Sequence, residues 1–171
     1  MKTAHIGIIA VFVLLLTACN SKSDNTSATS NDNDYFQVEI GKNENGRFTI
    51  TQLEPIKQDW ESRLNNNGNH LTLTDFKIVK AYTTDESPVE YYLLIANSKD
   101  GTLRTASLLN LKGNSFFIDT RKDNGALSYS NIVCGGDCNE GCLPVVSIHN
   151  GTRYLNCSQC VECVKKETEI R

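Results

Sequence analysis

Six cysteines crowd into the thirty residues from Cys134 to Cys163, and no other feature of the chain limits its folding as much. Cys134, Cys138 and Cys142 read C-x3-C-x3-C, and Cys157, Cys160 and Cys163 read C-x2-C-x2-C. Between the triplets stand Val145-Val146-Ser147-Ile148 and Arg153-Tyr154-Leu155, two β-type runs separated by His149-Asn150-Gly151-Thr152. An Asn-Gly pair suits a two-residue hairpin turn, because such a turn asks for positive φ at both central positions. A hairpin closed there brings six thiols to its open end without any long-range contact.

Three chemistries fit a cluster of this kind. The first is three disulfides, which an even count in an exported chain favours. The hairpin suggests a nested set, Cys142 with Cys157, Cys138 with Cys160 and Cys134 with Cys163. Such crosslinks would take the place of a core in a segment rich in glycine, each contributing about 2–4 kcal/mol by restricting the unfolded chain. The second is a metal site, with Cys157, Cys160, Cys163 and one earlier cysteine as a tetrahedral thiolate set for zinc or a softer ion. The C-x2-C-x2-C run resembles part of an iron–sulfur ferredoxin motif, but Val164-Lys165-Lys166-Glu167 lacks that motif's fourth cysteine and proline. The third is redox catalysis through Cys157-Ser158-Gln159-Cys160 or Cys160-Val161-Glu162-Cys163. That reading needs the pair at a helix amino terminus in a βαβ setting, and no such pattern surrounds it.

The compartment is argued from the other end of the chain. Met1-Lys2-Thr3-Ala4-His5 leads into a run from Ile6 to Leu16 that is almost wholly apolar, then Thr17-Ala18-Cys19. A positive start, a short apolar stretch and small residues before a cut make a secretory signal, residues 1–18. The run is too short to cross a hydrocarbon layer of roughly 30 Å as a helix. Leu16-Thr17-Ala18-Cys19 resembles the lipobox of bacterial lipoproteins, in which a leucine and two small residues precede an obligatory cysteine. The resemblance covers nineteen residues and implies a thioether to diacylglycerol on Cys19, acylation of its new amino terminus (palmitate, for example), and a membrane partner held through that lipid. Two or three acyl chains, at about 0.8 kcal/mol per buried methylene, make such an anchor effectively permanent. Asn20, where an aspartate would favour inner-membrane retention, resembles cargo bound for the outer membrane of the cell envelope. Setting Cys19 aside turns seven cysteines into an even six.

From residue 19 to 34 the lipidated cysteine is followed by Asn, Ser, Thr and Asp with one Lys and one Ala. That composition buries too little to order itself. It reads as a flexible tether with a reach of about 20 Å.

Residues 35–130 read as an α+β domain. Phe36, Val38 and Ile40 alternate with polar residues, Asn45-Gly46 marks a turn, and Phe48 and Ile50 resume the alternation, so 35–52 is expected as a hairpin. Leu53, Ile56, Trp60 and Leu64 recur at helical spacing with Pro55 near the first turn, and Asn65-Asn66-Asn67-Gly68 stops the helix. Strand-like runs at 71–82, 89–96, 102–109 and 115–119 follow. One packed helix and an antiparallel meander give the class, with a cysteine-rich hairpin tail over 131–171. The order resembles the cystatin-like arrangement, a likeness that carries no function.

Little else in the chain points to chemistry. Net charge is −3, and lysines and arginines form no basic patch with interleaved aromatics, so nucleic acid is not an expected partner. No G-x-S-x-G elbow or phosphate loop is present, and Asp32, Asp34, Asp119, Asp123 and Asp137 make no calcium loop with a closing glutamate. His70 and His149 read as exposed loop residues, and Tyr91-Tyr92 and Phe116-Phe117 as strand and core aromatics. The expectation is a non-catalytic envelope lipoprotein, binding or structural, without a cofactor and with its protein or ligand partner unassigned. The competing expectation is a metal-binding or redox lipoprotein working through the cysteine cluster.

Overall fold

The run Tyr91-Tyr92-Leu93-Leu94-Ile95-Ala96 has no polar side to offer water, so a strand built from it needs cover on both faces. The computed structural model describes residues 38–66, 68, 70–84, 87–119, 131–136, 138, 141–160 and 162–168. The expected signal peptide, Cys19 and the whole of the tether lie outside the described residues. The elements are β1 (Gly41–Glu44), β2 (Arg47–Ile50), α1 (Leu53–Leu64), β3 (Leu73–Tyr82), β4 (Glu90–Ser98), β5 (Leu103–Lys112), β6 (Ser115–Ile118), β7 (Asn131–Gly135), β8 (Pro144–His149), β9 (Thr152–Cys157) and β10 (Val164–Thr168).

The class is α+β and dominated by antiparallel sheet, with a single helix among the described residues. Strands β3 to β6 pair in sequence order as a meander. Strand β5 then shares its other edge between two partners: residues 109–112 pair with β6, and residues 103–106 pair with β7. From β6 the sheet continues to β1 and β2, and from β7 it continues to β10. The segment beyond residue 131, expected as a hairpin tail, therefore adds two strands to the main sheet and leaves only β8–β9 as a separate two-stranded sheet.

One face of the main sheet carries Leu73, Ile78, Leu94, Ala96, Leu109 and Phe116 and is closed by Ile56 and Trp60 of α1. The helical spacing of those two residues is what turns them to a common side. Asn65 ends α1, its N–H donating to the Glu61 carbonyl at 3.0 Å, while its side chain brackets the Leu71 backbone at 2.7 and 2.9 Å. The β1–β2 hairpin curls over the same face. There Phe48 meets Phe116 edge-on at 5.5 Å and Tyr92 at 5.7 Å. The other face carries Tyr91, Leu93, Leu108, Ile132 and Cys134 and is closed by β8–β9.

Plain alternation over 71–82 does not survive in β3. Thr74 pairs with Asn97 but Lys77 pairs with Ile95, so two residues oppose one, and Asp75 takes a φ of 54° at this bulge. A bulge shifts the face of every residue beyond it. Without it Lys77 would lie opposite Leu94, on the buried helix side. With it Ile78 enters that core and Lys77 stands on the opposite face.

The neighbours Phe116 and Phe117 test the two-faced sheet. Phe116 is fully buried, whereas Phe117 is half-buried beneath Lys112. Phe116→Ala should cost about 3–5 kcal/mol and Phe117→Ala about 1 kcal/mol or less, read as shifts in denaturant midpoint.

Candidate functional site: the cysteine-stapled hairpin and its cleft

Asn150 and Gly151 have φ of 50° and 76°, the positive pair a tight hairpin turn requires, and the β8–β9 ladder runs from His149 opposite Thr152 to Pro144 opposite Cys157. Beyond the ladder the pairing continues one step, with Ser158 N–H donating to the Leu143 carbonyl at 2.7 Å and Leu143 N–H to Ser158 Oγ at 3.0 Å.

All six cysteines are joined in disulfides: Cys134–Cys157, Cys138–Cys160 and Cys142–Cys163, with Cα separations of 5.6, 6.4 and 5.4 Å. The nested set expected from the hairpin holds for Cys138–Cys160 alone. Two positions decide the difference. The ladder places Cys157 opposite Pro144, so Cys142 lies two residues out of register with it. Cys134 is fixed in β7 with its side chain on the hairpin side of the sheet, and Cys157, whose Sγ lies 3.8 Å from the Val133 carbonyl, is the cysteine that reaches it. The triplets consequently join in the same order along the chain, each bridge spanning 21–23 residues, rather than in mirror order about the turn.

Gly136 permits this approach. A Cβ at that position would lie 2.0 Å from the Glu162 carbonyl oxygen and 3.0 Å from Cys163 Cα, at a φ of 149°. Gly135-Gly136 thus serves as a flat seat for the returning chain.

The bridges also act as packing. Cys134 and Cys142 are buried, and Cys138, Cys157 and Cys163 pack against the same cluster, so sulfur fills the gap between Tyr91, Leu93, Leu108 and Ile132 on the sheet and Val146 and Leu155 on the hairpin. The six sulfurs form two groups, Cys134/Cys142/Cys157 and Cys138/Cys160/Cys163, with the atoms of each group within 4.8 Å of one another.

Beside the cluster a cleft of about 600 Å³ opens between the hairpin and the far end of β3 and β4, lined by Tyr82, Tyr91, Ser147, Asn156, Gln159 and Lys165 among others. Aromatic walls with hydroxyl, amide and ammonium groups suit a mixed polar and apolar ligand. Near this end Glu90 pairs with Lys80 at 2.7 Å and accepts hydrogen bonds from the Tyr82 and Tyr92 hydroxyls. The hydrogen bond from Lys80, then that from Tyr92, holds the Glu90 carboxyl below its ordinary range. Lys80 is raised above its own range, first by Glu90 and then by Tyr82. Burial first, and Glu90 second, raise the Tyr92 hydroxyl. The Glu90 contribution is present above the ordinary carboxyl pKa and fades as pH falls through the lowered folded value.

His70 and His149 are both exposed; His70 lies in a loop, as expected, whereas His149 is the last residue of β8, opposite Thr152, and not a loop residue. Cys19 lies outside the described residues. Sequence reading did not find Tyr82, Gln159 or Lys165 as cleft residues; only the bulge and the return of β10 to β7 bring them together. Comparison with family models, with curated proteins and with solved structures finds no match for this chain.

Two measurements check the site. Peptide mapping of the oxidised protein should recover Cys134–Cys157 and Cys142–Cys163 and no Cys142–Cys157 peptide. Gly136→Ala should lower the yield of that bridged form several-fold on oxidative refolding, and replacing both Cys134 and Cys157 by Ser should cost about 3 kcal/mol in denaturant unfolding.

Proposed function

We propose that the chain is a lipid-anchored lipoprotein of the cell envelope, held in the outer membrane in preference to the inner, whose folded part is a non-catalytic binding or structural module. The observation that carries this reading is the accounting of thiols. The six cysteines beyond Cys19 all pair among themselves, which leaves Cys19, at the end of Leu16-Thr17-Ala18-Cys19, as the one cysteine with a different fate. Three disulfides in so small a domain suit an oxidising compartment, and export delivers a chain to one. The polar stretch after Cys19 suits a tether between lipid and fold.

A second reading rests on the two sulfur groups. On reduction each would present three thiolates in a compact set, a donor arrangement that favours soft ions such as Cu(I) or thiophilic Zn(II). In that reading the cluster works as a metal-binding or redox site.

Membrane fractionation tests the first reading. The parent protein should pellet with membranes and incorporate labelled palmitate, and Cys19→Ser should do neither. A Cys19→Ser protein that still pelleted like the parent would refute the anchor. A thiol count with elemental analysis on the exported protein separates the two readings: no free thiols and no metal support the disulfide module, whereas free thiols with stoichiometric zinc or copper support the alternative.

A further inference from the structure

Arg104 of β5 is the one described residue whose side chain has a buried polar atom without a hydrogen-bond partner: its Nη1 is sealed from solvent and donates to nothing. A guanidinium nitrogen left in that state loses its hydration without recompense. The backbone of Gly141 sits close above it. A Cβ at that position would lie 2.9 Å from Nη1 and 3.2 Å from Nη2, so the guanidinium is fixed against the loop that carries Cys142. The cross-strand pairs Asn97–Arg104 and Arg104–Cys134 put Arg104 on the hairpin side of the sheet, and the β3 bulge puts Lys77, partner of Ile95, on that same side.

These groups line one cavity of about 230 Å³, together with Leu143 and Pro144 from the hairpin base. It holds two cations and an amide, and none of its described lining residues is acidic. Neither Lys77 nor Arg104 has an ion-pair partner among the described residues, although the chain as a whole is acidic. Placing two like charges together without a counter-charge is unfavourable in the free protein and turns favourable when an anion enters.

The geometry points to a small carboxylate as that anion. A carboxylate has two oxygens, which the Arg104 guanidinium, Lys77 and the Asn97 amide suffice to satisfy. Its hydrocarbon part then lies on Ile95, Leu143 and Pro144. Phosphate or sulfate would turn further oxygens towards that apolar wall and leave them unpaired. The volume suits a short-chain acid or the carboxyl-terminal residue of a peptide, and both present the same group. This inference names a ligand class for the binding reading and rests on it, but it does not rest on the lipid anchor.

Titration of the oxidised, exported protein, followed by amide and arginine side-chain NMR, tests it. Isovalerate should shift the resonances of Ile95, Leu143 and Arg104, and the uncharged isostere isovaleramide should leave them in place. Arg104→Gln should weaken isovalerate about tenfold or more, and exposed Lys77→Gln, which leaves the core untouched, should also weaken it measurably. Tighter binding of N-acetyl-leucine than of isovalerate would assign a peptide terminus, and the reverse a free acid. Equal binding of isovaleramide, tighter binding of inorganic phosphate, unchanged affinity in Lys77→Gln, or no shift with either acid would overturn the proposal. Repeating the titration on soluble Cys19→Ser protein keeps its failure distinct from failure of the anchor.

Discussion

Strands β4 and β5 set the terms for everything around them, because both are apolar on two faces. Tyr91, Leu93 and Leu108 point one way and Leu94, Ala96 and Leu109 the other. A sheet in which every central position seeks cover demands a layer on each side. The helix side is met conventionally, by Ile56 and Trp60 and by the curl of β1–β2 that brings Phe48 onto Phe116. The other side receives a hairpin of two short strands with few buried aliphatic side chains, Pro144, Val146 and Leu155. So small a layer gains too little from burial to stay docked unaided. The disulfides supply the remainder twice over, as covalent ties and as apolar filling.

Much of the fold was legible from local patterns. Alternation gave the meander, the spacing of Ile56 and Trp60 gave α1, and the two Asn-Gly pairs gave their turns, because each signal is contained within a few residues. What stayed hidden depended on partners far along the chain. Strand β10, Val164-Lys165-Lys166-Glu167-Thr168, has no apolar period at all and reads as loop; it is a charged edge strand, and only its pairing with β7 makes it a strand. The bulge at Asp75 is equally silent, since nothing local distinguishes it from a break in alternation.

The site shows the same division. That six cysteines would pair was readable from their even number and their clustering. Which would pair was not, because hairpin symmetry treats both triplets as free ends while Cys134 is held in the main sheet. The bridges, Arg104 and Lys77 meet at the hairpin base because one covalent cluster fixes the loop that carries Gly141 and Leu143. Structural staple and candidate ligand pocket are consequently parts of one arrangement.

All three bridges span the tip of the β8–β9 hairpin, joining residues before Pro144 to residues at or after Cys157. The segment between them is a closed ring, and its outermost bond, Asn150-Gly151, is exposed. A protease cut at that bond would open the ring and release nothing. The severed strands would keep their ladder, their anchorage to the sheet and three covalent links, and the damage would surface only under reducing conditions. This places the exposed turn bond of the hairpin where its loss costs least.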